Sequence, residues 1–346
     1  MASIVCKFGG SSLASADRMQ RIRRIIEANS DRRYIVVSAP GKRNDADRKI
    51  TDLLIDAANA PRGENQLIVS RICKRYSRIC KGLRLNYDPC PDLTNALSGH
   101  ACDRDYMASR GEYICAKIMA EYLHLPFVDA ENLIRLRPDG RIDVPASRAA
   151  IQSVLSSSAL PRAVIPGFYG IDPQGKLRTL PRGGSDVTGA MIANAIRASV
   201  YENWTDVDGI CSVDPAISDD ARAIGEISKR QMLSVAEAGA GVLHPDAVSI
   251  LLTGKTDIHL KNTFHPDGAG TRISNRTDVR VSCIAYRATE RANQMEISVF
   301  YPPEAMLQYI YSEMNPIHII HMRDRIRIIV PNVKVADSIR ILEKML

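Results

Sequence analysis

The sequence lacks the long apolar runs and the leader segment that mark membrane and secreted proteins. None of its apolar runs approaches the roughly 20 residues that a bilayer-spanning helix needs, so no membrane partner is expected. A strand-like segment at residues 4–8 begins almost at once, which leaves no room for the charged and apolar regions of a usual signal peptide. We therefore expect a soluble protein of the cytoplasm.

Cysteine spacings typical of metal and redox sites are also absent. The 8 cysteines form no C-x-x-C pair, and no histidine stands at zinc-ligand spacing from them. This pattern argues against a metal site built from protein ligands and favours reduced thiols. No long internal repeat or low-complexity segment is visible either.

The net charge of +7 could indicate a nucleic-acid partner, but the Lys and Arg residues are spread along the chain. The basic stretch at residues 71–84 is typical of a solvated helix face. We expect no nucleic acid and predict instead a small anionic substrate.

Apolar runs alternate with helical periodicity over the first two thirds of the chain. Residues 16–28 carry apolar side chains at helical spacing, and residues 34–40 read as a short buried strand. A helix follows, with Thr51 or Asp52 as its expected cap. Further strands are predicted within residues 126–132, 163–170 and 199–209, and a further helix at residues 185–197. This alternation predicts an α/β fold with a mainly parallel sheet covered on both faces.

From residue 276 the pattern changes to a small α+β module. Strands are predicted at residues 295–300, 317–322 and 325–331, and helices at 302–314 and 335–346. The last two strands read as a hairpin. A missing fourth strand is expected from "VSCIAY" at residues 281–286 or from a second subunit. We therefore divide the chain into domains at 1–275 and 276–346.

The segment "KFGGSS" places Lys7, Gly9, Gly10 and Ser11 directly after the first strand. It is not a P-loop, because the G-x-x-x-x-G-K-[ST] spacing is missing. Glycines let backbone N–H groups turn toward an anion, and a lysine can stabilise a transferring phosphoryl group. A plain glycine turn with an exposed lysine explains this segment equally well.

A second glycine pair stands in "PRGGSD", where Arg182 offers a planar fork suited to a carboxylate. Gly183 and Gly184 again expose backbone donors, and Ser185 and Asp186 stand where a helix N-cap is expected. Capping explains one of those two polar side chains. It does not explain the preceding Arg-Gly-Gly.

Two further polar segments have an ordinary and a functional interpretation. In "WTDVDG", Thr205 and Asp206 follow a strand, where they serve either a turn or the edge of a nucleotide. The spacing does not match a calcium-binding EF-hand loop. In "SRGE", Glu112 is expected at the head of a helix, where it either caps the helix or holds a substrate ammonium.

In this order, the motifs resemble the amino-acid kinase family, and within it the aspartate kinases. The resemblance extends from residue 4 to about residue 273 and also includes "VVSAPGKR", "ITDLL", "GFYG", "VLHPDAV" and "HLKNTFHPDGAGT". Kinases acting on acetylglutamate, glutamate or UMP are less similar. The implied fold is the three-layer amino-acid kinase fold, followed by a shortened ACT-like module, and a homodimer is expected by analogy.

The resemblance implies transfer of a phosphoryl group from ATP, with Mg2+, to the β-carboxylate of L-aspartate. This is the first step toward lysine, threonine and methionine. The implied catalytic residues are Lys7 and Asp186. The implied substrate-binding residues are Ser38, Thr51, Glu112, Arg182, Gly184 and Ser185. The implied nucleotide-binding residues are Lys7, Gly9, Gly10, Ser11, Thr205 and Asp206.

The chain departs from the family pattern at two positions near the ATP phosphates. Ala216 and Gly241 stand where much of the family has an arginine and a lysine. Lys42, Arg43 or Lys49 are candidates to compensate. Two alternative functions therefore accompany the aspartate kinase interpretation. One is a related kinase for another acidic amino acid, and the other is a regulatory homologue that binds the amino acid but holds ATP weakly.

Overall fold

The structure is a computed structural model that describes residues 3–155, 160–181, 183–276 and 279–346. Its strands are β1 (Ile4–Phe8), β2 (Arg32–Val37), β3 (Ala163–Pro166), β4 (Tyr169–Ile171), β5 (Leu177–Thr179), β6 (Val200–Thr205), β7 (Ile210–Cys211), β8 (Ala223–Ile224), β9 (Glu226–Ser228), β10 (Asp257–Asn262), β11 (Thr271–Ser274), β12 (Cys283–Ala288), β13 (Gln294–Phe300), β14 (His318–His321) and β15 (Arg325–Pro331).

The α-helices are α1 (Ala16–Glu27), α2 (Ile50–Asn59), α3 (Glu64–Leu83), α4 (Cys90–His100), α5 (Arg104–Leu123), α6 (Val144–Leu155), α7 (Gly184–Ala195), α8 (Lys229–Glu237), α9 (Pro245–Leu251), α10 (Glu304–Ser312) and α11 (Val335–Glu343). Short 3-10 helices lie at Gly10–Leu13, Ala130–Asn132 and Asn332–Lys334. Within the described ranges, none of the helices is long and apolar enough to cross a membrane.

A seven-stranded sheet forms the centre of the fold, in the order β3-β2-β1-β6-β10-β11-β9. All neighbouring strands are parallel except β10 and β11. Alternate residues of β1 enter different hydrophobic cores: Val5 packs into one, and Cys6 and Phe8 pack into the other. Because both faces of the sheet are buried, most of its strand residues are apolar, and the exceptions on β1 and β6 include Lys7 and Asn203. The predicted three-layer α/β architecture is confirmed.

The C-terminal strands form a separate antiparallel sheet in the order β12-β13-β15-β14. It has its own apolar core, in which Ile297, Ile328 and Leu342 are completely buried. Strand β12 pairs with β13 from Cys283 to Ala288, so the fourth strand comes from this chain's own "VSCIAY" segment.

Two local predictions are wrong. Residues 126–132 form no regular strand, because Phe127 makes only an isolated bridge to Val164 and a 3-10 helix follows at Ala130–Asn132. The cap of α2 is Lys49, with no side-chain hydrogen bond, so Thr51 and Asp52 lie inside the first turn. Free of a capping role, the Thr51 side chain is available to the cleft described below.

Candidate active site

The carboxyl ends of β1, β2 and β6 open into a cleft with a volume of about 1230 Å³. Ligands bind at this edge of parallel sheets, because chains from neighbouring strands diverge there. Most residues proposed from the sequence line it: Lys7, Gly10, Ser11, Ser38, Thr51, Glu112, Gly184, Ser185, Asp186 and Asp206. Gly9 and Thr205 adjoin lining residues in the chain. Arg182 lies outside the described residues.

Lys7 forms an ion pair with Asp186 at the floor of the cleft. Its Nζ lies 2.6 Å from Asp186 Oδ1, and each side chain is only 12% exposed. Asn203, opposite Lys7 in the β1–β6 register, donates from Nδ2 to the same oxygen at 2.9 Å. The Tyr201 hydroxyl donates to the Asp186 backbone carbonyl at 3.1 Å. These contacts fix Asp186, and Asp186 in turn fixes the lysine ammonium within the cleft.

The turn after β1 approaches the next loop closely. The Gly41 N–H donates to the Gly10 carbonyl at 2.7 Å. A Cβ on Gly10 would lie 2.8 Å from the Ala39 carbonyl oxygen, so a glycine is required here for space. Gly10 and Ser11 begin a 3-10 helix, and the first N–H groups of a helix have no partner inside it. The turn therefore offers backbone donors beside Lys7.

Replacing Gly10 by alanine is expected to lower kcat/KM for the nucleotide about tenfold and stability by about 1–3 kcal/mol, because the loop at Ala39 must shift. Steady-state kinetics and thermal unfolding would measure both effects. Gly99→Ala is the matched control, since a Cβ on Gly99 meets nothing within 4 Å. Unchanged nucleotide kinetics in Gly10→Ala would contradict the steric argument.

Glu112 places a buried carboxyl group against the cleft. The residue is 4% exposed, and its Oε2 has no hydrogen-bond partner in the described part of the chain. Burial raises the pKa of Glu112 to about 8, although backbone N–H groups of Ala39 and Glu112 itself act in the opposite direction. A buried carboxyl oxygen without a partner is costly, so this site is suited to receive a ligand cation.

The predicted position of Glu112 at a helix head is wrong. The residue lies in the middle of α5, whose N-cap is Asp103 with its side chain accepting from the Tyr106 N–H. Capping therefore does not explain Glu112.

The N-cap of α7 is Gly183 at φ 77°, so the predicted cap at Ser185 or Asp186 is also wrong. Glycine is needed at Gly183 both for this left-handed conformation and for space, since a Cβ would lie 2.6 Å from the His244 ring. Ser185 and Asp186 occupy the first turn of α7. Their side chains are thereby left for the cleft and for Lys7.

The end of β6 carries the residues proposed for the nucleotide. Asp206 lines the cleft, and the Thr205 hydroxyl donates to its Oδ1 at 3.2 Å. Beside them, Asp208 accepts from Asn262 at 2.8 Å and pairs with His265 Nδ1 at 3.0 Å. These contacts connect the loops after β6 and β10.

Lys42, Arg43 and Lys49 all line the cleft. Arg43 is held by a bidentate contact with Asp47 at 2.7 and 2.9 Å. Lys42 and Lys49 are exposed and form no ion pair with any described residue. At the two positions where the resemblance implies cations, Ala216 is exposed, and a Cβ on Gly241 would meet nothing within 4 Å.

Several residues around the cleft were missed from the sequence. Asn203 is one of them, although its position four residues into a buried strand opposite Lys7 could have marked it. Arg18 is another; it lines the cleft and donates from Nη1 to the Ser11 carbonyl at 2.6 Å. An arginine on an amphipathic helix gives no signal of such a contact.

Comparison with known proteins identifies the family. The model of the amino acid kinase family matches residues 2–262. Aspartokinase 3 of Bacillus subtilis is 32% identical over 292 residues, which cover 79% of this chain and 64% of that protein. The aspartokinase of Rickettsia conorii is 32% identical over 310 residues, covering 86% of this chain and 67% of the relative. The chain thus spans about two thirds of the length of these relatives.

Solved structures give the same result. The crystal structure of Clostridium acetobutylicum aspartate kinase superposes with a TM-score of 0.77 at 31% identity, covering 99% of this chain and 81% of that one. Escherichia coli aspartokinase III in complex with lysine and aspartate superposes with a TM-score of 0.80 and shares the fold at 20% identity. The chain therefore belongs to the amino acid kinase family and is of the aspartokinase type.

Proposed function

We propose that this chain transfers the γ-phosphoryl group of ATP to the β-carboxylate of L-aspartate, giving 4-phospho-L-aspartate. The observation that carries the proposal is that a single cleft contains both a fixed lysine ammonium, Lys7, and a buried carboxyl group, Glu112, whose Oε2 has no hydrogen-bond partner among the described residues. A phosphoryl donor needs the first, and an amino-acid acceptor needs the second.

The reaction needs no general base, because the attacking carboxylate is already ionised at neutral pH. Catalysis then consists of positioning and charge stabilisation. Lys7 would stabilise the transferring phosphoryl group, Asp186 would orient Lys7, and the N–H groups after Gly9 would face phosphate oxygens. Thr205 and Asp206 would contact the nucleotide.

The acceptor would lie between α5 and α7. Glu112 would bind the aspartate ammonium, with Ser38 and Thr51 beside it, while Gly184 and Ser185 would face the substrate from the first turn of α7. We propose Arg182 as the clamp for the α-carboxylate, since a guanidinium fork matches carboxylate geometry.

Mg2+ would enter with ATP. Within the described ranges, no group of three or more His, Cys, Asp or Glu side chains is arranged to hold a metal ion. Mg2+ keeps several waters and binds through one or two carboxylates plus substrate phosphates, so such a cage is not required. Asp206 is the carboxylate we propose to face it.

Trapping the acyl phosphate with hydroxylamine tests the proposed function. Wild-type protein would be incubated with MgATP and each of L-aspartate, D-aspartate, L-glutamate and N-acetylglutamate, and hydroxamate would be measured. We expect product with L-aspartate. Product with another acid alone would identify the related-kinase alternative. No product, together with aspartate binding and no MgATP binding by calorimetry, would identify the regulatory alternative.

We further propose that residues 1–275 are the catalytic domain and that residues 276–346 are an ACT-like regulatory or dimerisation module. The separate antiparallel sheet, with an apolar cluster that comes almost entirely from residues 284–342 and is completed by Val213, supports this division. A homodimer is part of the proposal, supported by exposed Ile320 on the edge strand β14 and exposed Ile317 and Met322 beside it. All 8 cysteines are free, which favours the cytoplasm as the location.

A further inference from the structure

The loop of residues 41–49 between β2 and α2 is held from outside the cleft by an arginine that the proposed chemistry does not use. Arg75 lies on α3 and is only 6% exposed. Its Nη1 donates to the Arg48 carbonyl at 2.8 Å, and its Nη2 donates to the Gly41 carbonyl. One guanidinium therefore fixes both ends of the loop.

Arg75 also contacts the middle of the loop, through the carboxylate of Asp47. Asp47 Oδ2 lies 3.4 Å from Arg75 Nη2, and Arg43 donates hydrogen bonds to the same carboxylate from Nε and Nη2. The contact with Arg43, followed by that with Arg75, holds the pKa of Asp47 well below its usual range. The Arg43–Asp47–Arg75 set therefore stays charged and intact across the working range of pH.

The fixed loop is coupled to the turn that follows β1. Gly41, whose carbonyl accepts from Arg75, donates its N–H to the Gly10 carbonyl at 2.7 Å. A Cβ on Gly41 would lie 2.6 Å from the Gly10 carbonyl carbon, so the two backbones are in direct contact. A continuous set of contacts thus runs from Arg75 to the backbone beside Lys7.

Charge is distributed unevenly within this loop, all of which is described. Arg43 is neutralised by Asp47, and Arg48 Nη1 lies 2.5 Å from Asp56 Oδ2. Lys42 and Lys49 line the cleft and have no ion-pair partner among the described residues. Asp45 is the one carboxylate of the loop that is not paired with a described residue, so it offsets only one of these two charges. The loop therefore presents net positive charge to the cleft.

We infer that Arg75 is a positioning residue: it fixes the loop of residues 41–49 so that Lys42 and Lys49 contact the phosphates of the nucleotide. The inference rests on the proposed function and adds two phosphate-binding residues to it. Lysines on a mobile loop lose side-chain and backbone entropy when they bind an anion, and a loop that is already fixed avoids most of that loss. The triphosphate is the most highly charged part of the substrates, so the net positive charge of this loop is suited to it.

The test compares a double substitution, Lys42→Ala with Lys49→Ala, with Arg75→Met and with all three together. KM for MgATP and kcat would be measured at saturating L-aspartate. We expect the double variant to raise KM for MgATP roughly 30-fold, since each charge-assisted contact contributes at least several-fold, with KM for aspartate unchanged within about twofold. Arg75→Met is expected to raise the same KM by a similar factor.

The combined variant decides between positioning and a merely structural role. If Arg75 acts through the two lysines, the triple variant is no worse than the double variant, because the lost interactions are shared. The inference would be overturned if the rise in KM for MgATP in the triple variant equalled the product of the rises in the double variant and in Arg75→Met. An unchanged KM for MgATP in the double variant would overturn it as well. Arg78→Met, exposed one turn along α3, is the matched control and should behave as wild type.

Two further measurements keep the outcome decisive. If Arg75→Met does not fold, Arg75→Lys and Asp47→Asn replace it. A single ammonium cannot span both carbonyls, and a neutral amide at residue 47 weakens the contacts with both Arg43 and Arg75.

Calorimetry with MgATP alone separates the proposed function from the proposed role of the loop. If wild-type protein binds MgATP but makes no acyl phosphate, the proposed function is refuted. The ratio of the Kd for MgATP in each variant to that of wild type would still test the proposed role of the loop. Wild type without MgATP binding overturns both.

Discussion

Lys7→Ala is expected to lower kcat for acyl phosphate formation by about 10³, to the limit of detection, while the protein stays folded. Removing one preorganised donor from a developing anionic transition state costs about 10²–10³ in rate. The loss is expected at the upper end here, because Lys7 is the cation fixed at the floor of the cleft by Asp186 at 2.6 Å. Hydroxamate formation and circular dichroism would measure activity and fold.

The control must separate the loss of charge in the cleft from the loss of an ion pair. Lys7→Ala leaves the Asp186 carboxylate without its 2.6 Å partner in a largely buried setting, which alone costs stability. The double variant Lys7→Ala with Asp186→Asn removes that unpaired charge and should recover stability without recovering turnover. Lys74→Ala, an exposed lysine on α3, should leave both unchanged. Turnover like that of wild type in Lys7→Ala would refute the assigned role.

Glu112→Gln is expected to raise KM for L-aspartate about 10-fold to 100-fold with little change in KM for MgATP. A neutral amide keeps the shape of the side chain but loses the charge that would bind the substrate ammonium, a contact of about 1.5–3 kcal/mol. Steady-state kinetics with each substrate varied in turn would show the difference. An equal rise in both KM values would indicate general damage to the cleft.

The pH dependence gives this prediction a sharper form. The pKa of Glu112 is raised to about 8 by burial, so binding an ammonium at neutral pH must release the carboxyl proton. For wild type, kcat/KM for aspartate should therefore rise with pH up to about 8 and then level, whereas Glu112→Gln should show no such rise. Calorimetry of aspartate binding in buffers of different ionisation enthalpy would count the released proton. A flat wild-type profile would contradict the buried, protonated state.

The carboxyl group of Glu112 also makes the free energy of unfolding fall as pH rises. The pKa of Glu112 is raised from its ordinary 4.5 to about 8 on folding, so its contribution is fully present below about 4.5 and is lost as pH rises through about 8. Within that window, wild type should lose up to about 1.4 kcal/mol per pH unit relative to Glu112→Gln. Saturating L-aspartate should offset the loss. Urea unfolding at pH 5 and pH 8 would test both statements.

The location of a site residue could be predicted from the sequence where it depends only on one strand and the turn that follows it. Lys7, Gly10, Ser38 and Asp206 lie just before or after the ends of strands and line one cleft. Parallel strands bring their carboxyl ends to the same edge of a sheet, so the alternation of strands and helices was enough to predict that polar residues there would meet. The three-layer architecture followed from the same alternation of strands and helices.

Contacts between distant parts of the chain could not be predicted in this way. Arg75 read as part of a solvated basic face, yet it is buried because the loop of residues 41–49 folds over α3 and supplies its acceptors. Glu112 was predicted at the head of a helix, where a carboxylate is favoured, whereas α5 begins at Arg104 and continues through Glu112. Gly111 instead allows close packing, since a Cβ there would lie 2.8 Å from Ala39 Cβ.

Isotope transfer from the acceptor tests the central claim most directly. L-Aspartate labelled with 18O in the β-carboxylate would be incubated with wild-type protein, MgATP and hydroxylamine. Hydroxylamine attacks the carbonyl carbon of the acyl phosphate and expels phosphate that carries the bridging oxygen. Phosphorus NMR should then show one singly labelled phosphate for each aspartyl hydroxamate formed. Unlabelled phosphate without hydroxamate would mean that water is the acceptor, and it would contradict the account.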